Sequence, residues 1–328
     1  MAPRRVLAGT LAAGALVAGS YTVIGLRQNS EAPGPRPTMA RAPLDGKPSA
    51  PLAPISRPEA RVVAVPHEPL LPEANRIDQP APPPARPPAT AIVRSRAAHS
   101  FDRGPLERPA VLLTFDAGSH SSGAAEILDV LAGEGVRTTF FLTGEFIRDH
   151  PDLVRRIVAD GHEVGNHTET HLHLTRWEEE RRHTTRADID EARLLTELER
   201  TQEAFMAITG KPMAPIWRAP YGEHNNEILE WAAAAGWAHV GWTPSMDTLD
   251  WVADPASHLY RDADEIGRRL LNLPDRDDHG GRGAIVLMHL GSERPAQEQL
   301  GRILPQVLAG YRARGLELLT ASAMMEGS

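Results

Sequence analysis

Cysteine is absent from all 328 residues. That excludes a disulfide scaffold, thiolate-bound zinc, iron–sulfur clusters and a cysteine nucleophile. Aromatic residues are scarce, at 5%, so no long stacking platform marks a sugar groove. A phosphate-cradling glycine loop is missing as well. The first apolar run of the second part of the chain ends in Phe115-Asp116-Ala117-Gly118-Ser119, which lacks dinucleotide-binding spacing. Nor is there a regular basic run, and clustered Lys and Arg are what a nucleic-acid backbone requires.

What is present is unevenly spread. Seventeen of the 29 prolines fall between Glu31 and Ser100, and residues 1–100 carry a net charge of +6 against −14 for residues 101–328. Arg4 and Arg5 precede an uncharged stretch of 21 residues, Val6 to Leu26. That is the layout of a signal peptide or a membrane anchor. From residue 29 to 100 the chain is rich in Pro, Ala and Arg. Pro82-Pro83-Pro84 and Pro87-Pro88 bar helix interiors and central strands. With too little apolar content to offset ordering entropy, this stretch reads as a disordered linker. Its extended reach is at most roughly 200 Å at about 3.1 Å per residue. The organisation expected is therefore 1–28 signal peptide or anchor, 29–100 linker and 101–328 an acidic folded domain. The location expected is extracytoplasmic, anchored or secreted, with the N-terminal segment meeting the membrane.

From residue 101 the rhythm changes to short apolar runs alternating with amphipathic stretches. Strands are expected at 111–115, 139–142, 162–165, 216–218, 239–242, 284–288 and 316–320. Helices are expected at 124–131, 151–161, 188–208, 228–235, 263–271 and 299–314. Seven strands with helices between most of them argue for an α/β fold with a parallel sheet. A distorted (β/α)7 barrel is the reading adopted, over an open doubly wound sheet.

The chemically useful residues share an address. Asp116 follows the first strand, and His167 and His171 the third. Arg218 ends the fourth, Asp247, Asp250 and Trp251 follow the fifth, and His289 ends the sixth. In a barrel the carboxyl ends of the strands form one face, and that face holds the site. Each residue has a bland reading: Asp116 as a turn residue, Arg218 as a salt-bridge partner, His289 as a hydrogen-bonded core histidine. The bland readings do not explain why all of them stand at the same end of the strands. His167 and His171 are four apart, which on a helical turn places both imidazoles within reach of one metal ion. Without cysteine, imidazole and carboxylate are the strong ligands left for zinc or a similar ion.

Five segments in this order resemble the motifs of the polysaccharide deacetylase family, built on the chitooligosaccharide deacetylase homology domain, a carbohydrate esterase type. They are Thr114-Phe115-Asp116-Ala117-Gly118, His167-Thr168-Glu169-Thr170-His171, Arg218-Ala219-Pro220-Tyr221-Gly222, Asp247-Thr248-Leu249-Asp250-Trp251 and Leu287-Met288-His289. The resemblance covers about 110–320 and implies a distorted β/α barrel and a metal-dependent deacetylase. It implies roles too: Asp116 as general base, His167 and His171 as metal ligands, the Tyr221 N–H at the oxyanion and His289 as general acid. Arg218 would orient Asp116, Asp250 would tune His289, and Trp251 would line the acetyl pocket. The metal implied is divalent, usually zinc, and the partner an N-acetylated glycan acted on by a monomeric catalytic domain.

One position departs from the pattern. The family's first motif usually has two consecutive aspartates, the second a metal ligand, and here that place is Ala117. Another residue fills the gap (His120, or less favourably His173), or a water does, or the metal is lost. Three activities follow: an N-deacetylase, an O-acetyl esterase on the same site, or a non-catalytic carbohydrate-binding protein. Retention of the other catalytic residue types favours the deacetylase.

Overall fold

The computed structural model describes residues 98–326. The expected N-terminal apolar helix and nearly all of the linker lie outside the described residues. Among the described residues no helix is long and apolar enough to cross a membrane.

The structure is an α/β fold around a parallel sheet. The strands are β1 (Ala110–Ala117), β2 (Thr139–Leu142), β3 (Glu163–Asn166), β4 (Ile216–Trp217), β5 (Ala238–His239), β6 (Ala284–His289) and β7 (Glu317–Leu318). They run in the order β5-β4-β3-β2-β1-β6, with β7 on the lower half of β1. Every pairing between named strands is parallel. The lead-in before β1 closes the circle. Phe101 bridges Val240, just past β5, and Arg103 bridges Ala284 at the start of β6. The sheet is thus barrel-like, and all seven expected strands are found.

β1 is buried along its whole length. Period-two alternation sends Val111, Leu113, Phe115 and Ala117 into the large cluster under the helices, while Leu112 joins the inner cluster. Thr114 and Asp116 share the inner side and are the polar exceptions there.

The outer helices are α1 (Ala124–Gly133), α2 (Gly144–Asp149), α3 (Pro151–Ala159), α4 (Trp177–Glu180), α5 (Glu191–Thr209), α6 (Asn226–Ala234), α7 (Ala263–Leu271), α8 (Leu273–Arg276), α9 (Leu304–Ala313) and α10 (Ala321–Glu326). Two starts differ from expectation for physical reasons. α5 begins at Glu191 because the Asp190 carboxylate accepts from the Arg193 N–H and caps the helix there. α9 begins at Leu304, not Gln299. Pro305 has no N–H to donate and is tolerated only in a first turn, so 300–302 form a separate 3-10 turn.

Candidate active site

Strand register brings the first two reactive groups together. Asp116 at the end of β1 is directly opposite His289 at the end of β6. The ends of β3 and β4 deliver His167 and Arg218 to the same face. Asp250 reaches it from the loop after β5, hydrogen-bonded to His289.

Arg218 is fully buried. Its Nη1 donates to Asp116 Oδ1 at 2.7 Å and to Thr114 Oγ1 at 2.8 Å. Nε and Nη2 donate to the carbonyls of Val240 and Gly241, at 3.0 and 2.8 Å. The guanidinium also lies 4.2 Å from the centre of the Phe141 ring. A planar fork with fixed donors on both sides has no freedom to turn, so it fixes one oxygen of Asp116 and leaves the other free. That second oxygen lies 3.5 Å from His167 Nε2.

His167 is set by the same element. Its Nδ1 is 2.9 Å from the Arg218 carbonyl. A carbonyl only accepts, so Nδ1 carries the proton and Nε2 presents a lone pair toward Asp116. Burial pushes the His167 pKa down, against the pull of Asp116. The His171 ring lies 4.8 Å from that of His167, edge-on, and 4.5 Å from Tyr221. Burial, then His167, lowers its pKa to about 2. Both imidazoles are therefore neutral near pH 7.

The two rings are not brought together by a helical turn, as their spacing had suggested. Residues 167–171 are an irregular loop in which Thr168 and His171 take left-handed backbone, φ 64 and 53. Side chains satisfy its amides where a helix would have used carbonyls. Asn166 Oδ1 accepts from the Thr168 N–H, and Glu197 Oε2 from the Thr170 N–H, both at 2.9 Å. Tyr221 and Leu249 are also left-handed, φ 57 and 59. Non-glycine residues in this region cost of order 1–3 kcal/mol each and collect at functional sites.

His289 has the opposite surroundings to Asp116. Its Nδ1 is 2.9 Å from Asp250 Oδ1, and its backbone N–H donates to Asp250 Oδ2. Burial opposes the charge, but Asp250, with Asp116 and Asp247 behind it, outweighs burial and raises the pKa to about 9. Asp250 is held in turn by Thr248 Oγ1 at 2.7 Å. Burial works against its charge too, and His289 still carries its pKa below the ordinary value. Tyr221 and Trp251, 49% and 40% exposed, stand at the rim.

The residues fall one short of a three-ligand metal site. A catalytic zinc keeps three protein ligands, and among the described residues no group of three His, Cys, Asp or Glu is placed to hold an ion. Both expected substitutes are engaged elsewhere. His120 is exposed and 3.6 Å from Glu293. His173 stacks flat on Tyr221, centroids 3.9 Å apart, with Nδ1 2.8 Å from Glu223 and Nε2 3.3 Å from Glu178. Ala117 is buried among apolar side chains of the outer cluster. The donor set is two neutral imidazoles.

Thr114, His239, Ser100 and Asp102 escaped the sequence reading. His239 ends β5 as His289 ends β6, but the expected 239–242 strand put it at the start and hid that shared address. Thr114 lies inside an apolar strand and carried no signal.

The sequence pattern of the polysaccharide deacetylase family matches residues 103–240. A chitooligosaccharide deacetylase of Bradyrhizobium sp. (strain ANU 289) is 30% identical over 217 residues, covering 63% of this chain and 87% of that protein. The solved structure of a peptidoglycan N-acetylglucosamine deacetylase is similar with TM-score 0.57 and 28% identity, over 73% of this chain and 97% of that one. A family 4 carbohydrate esterase pseudoenzyme from Bacillus anthracis shares the fold, with TM-score 0.55 and 22% identity, over 69% and 68% of the two chains.

Proposed function

The chain belongs to the polysaccharide deacetylase family, and from that premise we propose that it is a hydrolase removing N-acetyl groups from an extracytoplasmic polysaccharide. Peptidoglycan or a chitin-like glycan is the substrate class, consistent with the relatives' names and with a long spacer after an apolar N-terminus. The observation that carries the reading is the opposed pairing of Asp116 and His289. They are cross-strand neighbours, one held by a cation and the other by an anion. Such a pair divides the labour of amide hydrolysis.

Asp116, anchored through one oxygen by Arg218, has its second oxygen free to accept a proton from an attacking water. His289, charged through neutral pH by Asp250, gives its proton to the departing nitrogen. The left-handed turn at Tyr221 presents that residue's backbone N–H to the oxyanion, and removal of one such donor typically costs about 10²–10³ in rate. The exposed Trp251 lines the acetyl pocket. A divalent ion, zinc above all, would be held by His167 and His171 alone, and weakly; it would polarise the acetyl carbonyl and acidify a water.

Acetate release by the purified chain decides the matter. The substrates are N-acetylated glycan oligomers and whole peptidoglycan, with zinc, with cobalt and with chelator. Release establishes the deacetylase, and its loss in chelator establishes a metal requirement that is met despite Ala117. Ala117 favours a second reading, a glycan-binding protein without turnover, which is the outcome if sugar binds and nothing is released. Release only from O-acetylated glycan makes it an esterase. We place the protein outside the cytoplasm, anchored or secreted through its N-terminal segment, with a monomeric catalytic domain.

A further inference from the structure

His239 is buried beneath the active-site face, and its hydrogen bonds run in one direction. Its Nε2 accepts from the Ala219 N–H at 3.2 Å. The amide can only donate, so the proton of this imidazole is on Nδ1, 2.8 Å from Ser100 Oγ. The Ser100 hydroxyl in turn donates to Asp102 Oδ1. The chain Asp102–Ser100–His239–Ala219 thus has a donor and an acceptor at every link. Burial first, then the neighbouring His224 ring and Arg218, keeps His239 well below the usual histidine pKa.

The backbone around it is fixed to the same lead-in segment. The Phe101 N–H donates to the His239 carbonyl at 3.0 Å, and the Gly241 N–H to the Phe101 carbonyl at 3.2 Å. Thr243 Oγ1 donates to the Asp102 carbonyl at 2.7 Å. A Cβ at Gly241 would run into the Asp102 carboxylate and displace it from Ser100. The next step reaches the site. The carbonyls of Val240 and Gly241, the two residues after His239, accept from Arg218 Nε and Nη2. Ala219, held by the His239 ring, is the residue after Arg218 and two before Tyr221.

We propose that Ser100, Asp102 and His239 form a positioning relay that fixes the Arg218 guanidinium and the Ala219–Tyr221 turn. The relay acts through Arg218 on the orientation of Asp116, and through Ala219 on the Tyr221 N–H. None of its three members meets substrate. The proposal rests on the deacetylase reading, since orientation of a base and an oxyanion donor is what it supplies. A buried histidine that only stabilises the fold would give the same hydrogen bonds and a different response to substitution.

The test uses the full chain and four proteins: wild type, His239→Phe, His239→Gln and Ser100→Ala. Phe fills the volume and makes neither hydrogen bond. Gln accepts from Ala219 and donates to Ser100. With misplacements of about 1 Å costing up to about 10²-fold in rate, His239→Phe is expected to lower kcat roughly tenfold to a hundredfold with KM within about twofold. Ser100→Ala should lose less, and His239→Gln should recover most of the loss. If His239→Phe does not fold, Ser100→Ala and His239→Gln carry the comparison. A folded His239→Phe or Ser100→Ala with wild-type kcat overturns the relay, as does a Gln variant no better than Phe.

Nitrogen-15 spectra of the histidine rings supply a readout free of activity. The expected signal is a neutral His239 with its proton on Nδ1 through neutral pH, and a proton on Nε2 overturns the relay. Wild-type protein that releases no acetate from any glycan refutes the deacetylase reading instead, and the ring spectra then decide the relay alone.

Discussion

Replacing Asp250 with Asn tests the acid–base assignment at its most exposed point. In the wild type, His289 has a pKa of about 9 because Asp250 and two further carboxylates outweigh burial. Asn keeps the shape and an acceptor oxygen, and removes the charge. The His289 pKa should then fall toward the ordinary 6.5, since burial remains and only the weaker pull of Asp116 and Asp247 opposes it. The acid form of His289 shrinks accordingly. At pH 8 it drops from roughly nine-tenths to roughly 3% of molecules for a pKa of 6.5, a loss of about thirtyfold. At pH 6 the same change leaves about three-quarters protonated, a loss of only about 1.3-fold. The assay is kcat/KM for acetate release across this range, with the His289 ring followed by NMR titration. A uniform loss at both pH values, or a His289 pKa that stays near 9, refutes the reasoning. Stability gives an independent sign. A histidine whose pKa is raised by folding contributes fully below pH 6.5 and loses that contribution as pH rises to about 9. Asp250→Asn should abolish that decline.

In Ala117→Asp the new carboxylate has to turn out of the outer apolar cluster toward His167 and His171; zinc binding should then tighten by at least the roughly 10–100-fold that an outer-shell partner contributes, measured by calorimetric titration. Unchanged affinity counts against the missing-ligand argument. Arg218→Met leaves the buried Asp116 without its cation, and should cost about 3–5 kcal/mol in denaturant unfolding; a cost under about 1 kcal/mol would show that Asp116 does not depend on the pair. His162 has its pKa lowered to about 4, mainly by burial, so the unfolded chain takes up a proton there that the folded chain refuses. Stability should fall by about 1.4 kcal/mol per pH unit from this group as pH drops from 6.5 toward 4, and His162→Gln should flatten the slope; an unchanged slope assigns acid sensitivity to other groups.

Much of this architecture is legible before any coordinates. β1 and β6 are continuous apolar runs because parallel strands are buried on both faces, so Ala110–Ala117 and Ala284–His289 announce themselves. Each run ends in a polar residue, Asp116 or His289, and the barrel turns that linear regularity into one face. Helix starts depend on single atoms, and there the reading slips: Asp190 as a cap and Pro305 as a missing donor move boundaries by several residues. The 167–171 loop shows a different limit. Spacing of four describes a helix only if the backbone is helical, and Asn166 and Glu197 supply the loop's amides with partners from outside it. Glu197 is 26 residues from His171 in sequence, so no local pattern reveals it. The same holds for Ser100 and His239, joined across 139 positions.

The two halves of the site have different fates in this chain. The acid–base half depends on charges that face one another across β1 and β6: a guanidinium for Asp116 and a carboxylate for His289, each with its own hydrogen-bonded support. Nothing in that half draws on residue 117. The ligand half consists of His167 and His171, whose neutrality suits metal binding and whose number does not. His167 belongs to both, since its Nδ1 is fixed by the Arg218 carbonyl and its Nε2 faces Asp116. On the deacetylase reading, Ala117 would weaken the hold on an ion and leave the Asp116–Arg218 and His289–Asp250 geometry as it is. Arg218 is buried at four hydrogen bonds, and His289 and Asp250 are locked through two. Removing a charge from either pair while leaving its partner buried is costly, so the fold alone resists losing one member. It does not resist losing both together. On the deacetylase reading, the two intact pairs supply the proton transfers of turnover, and the departure is confined to the metal position.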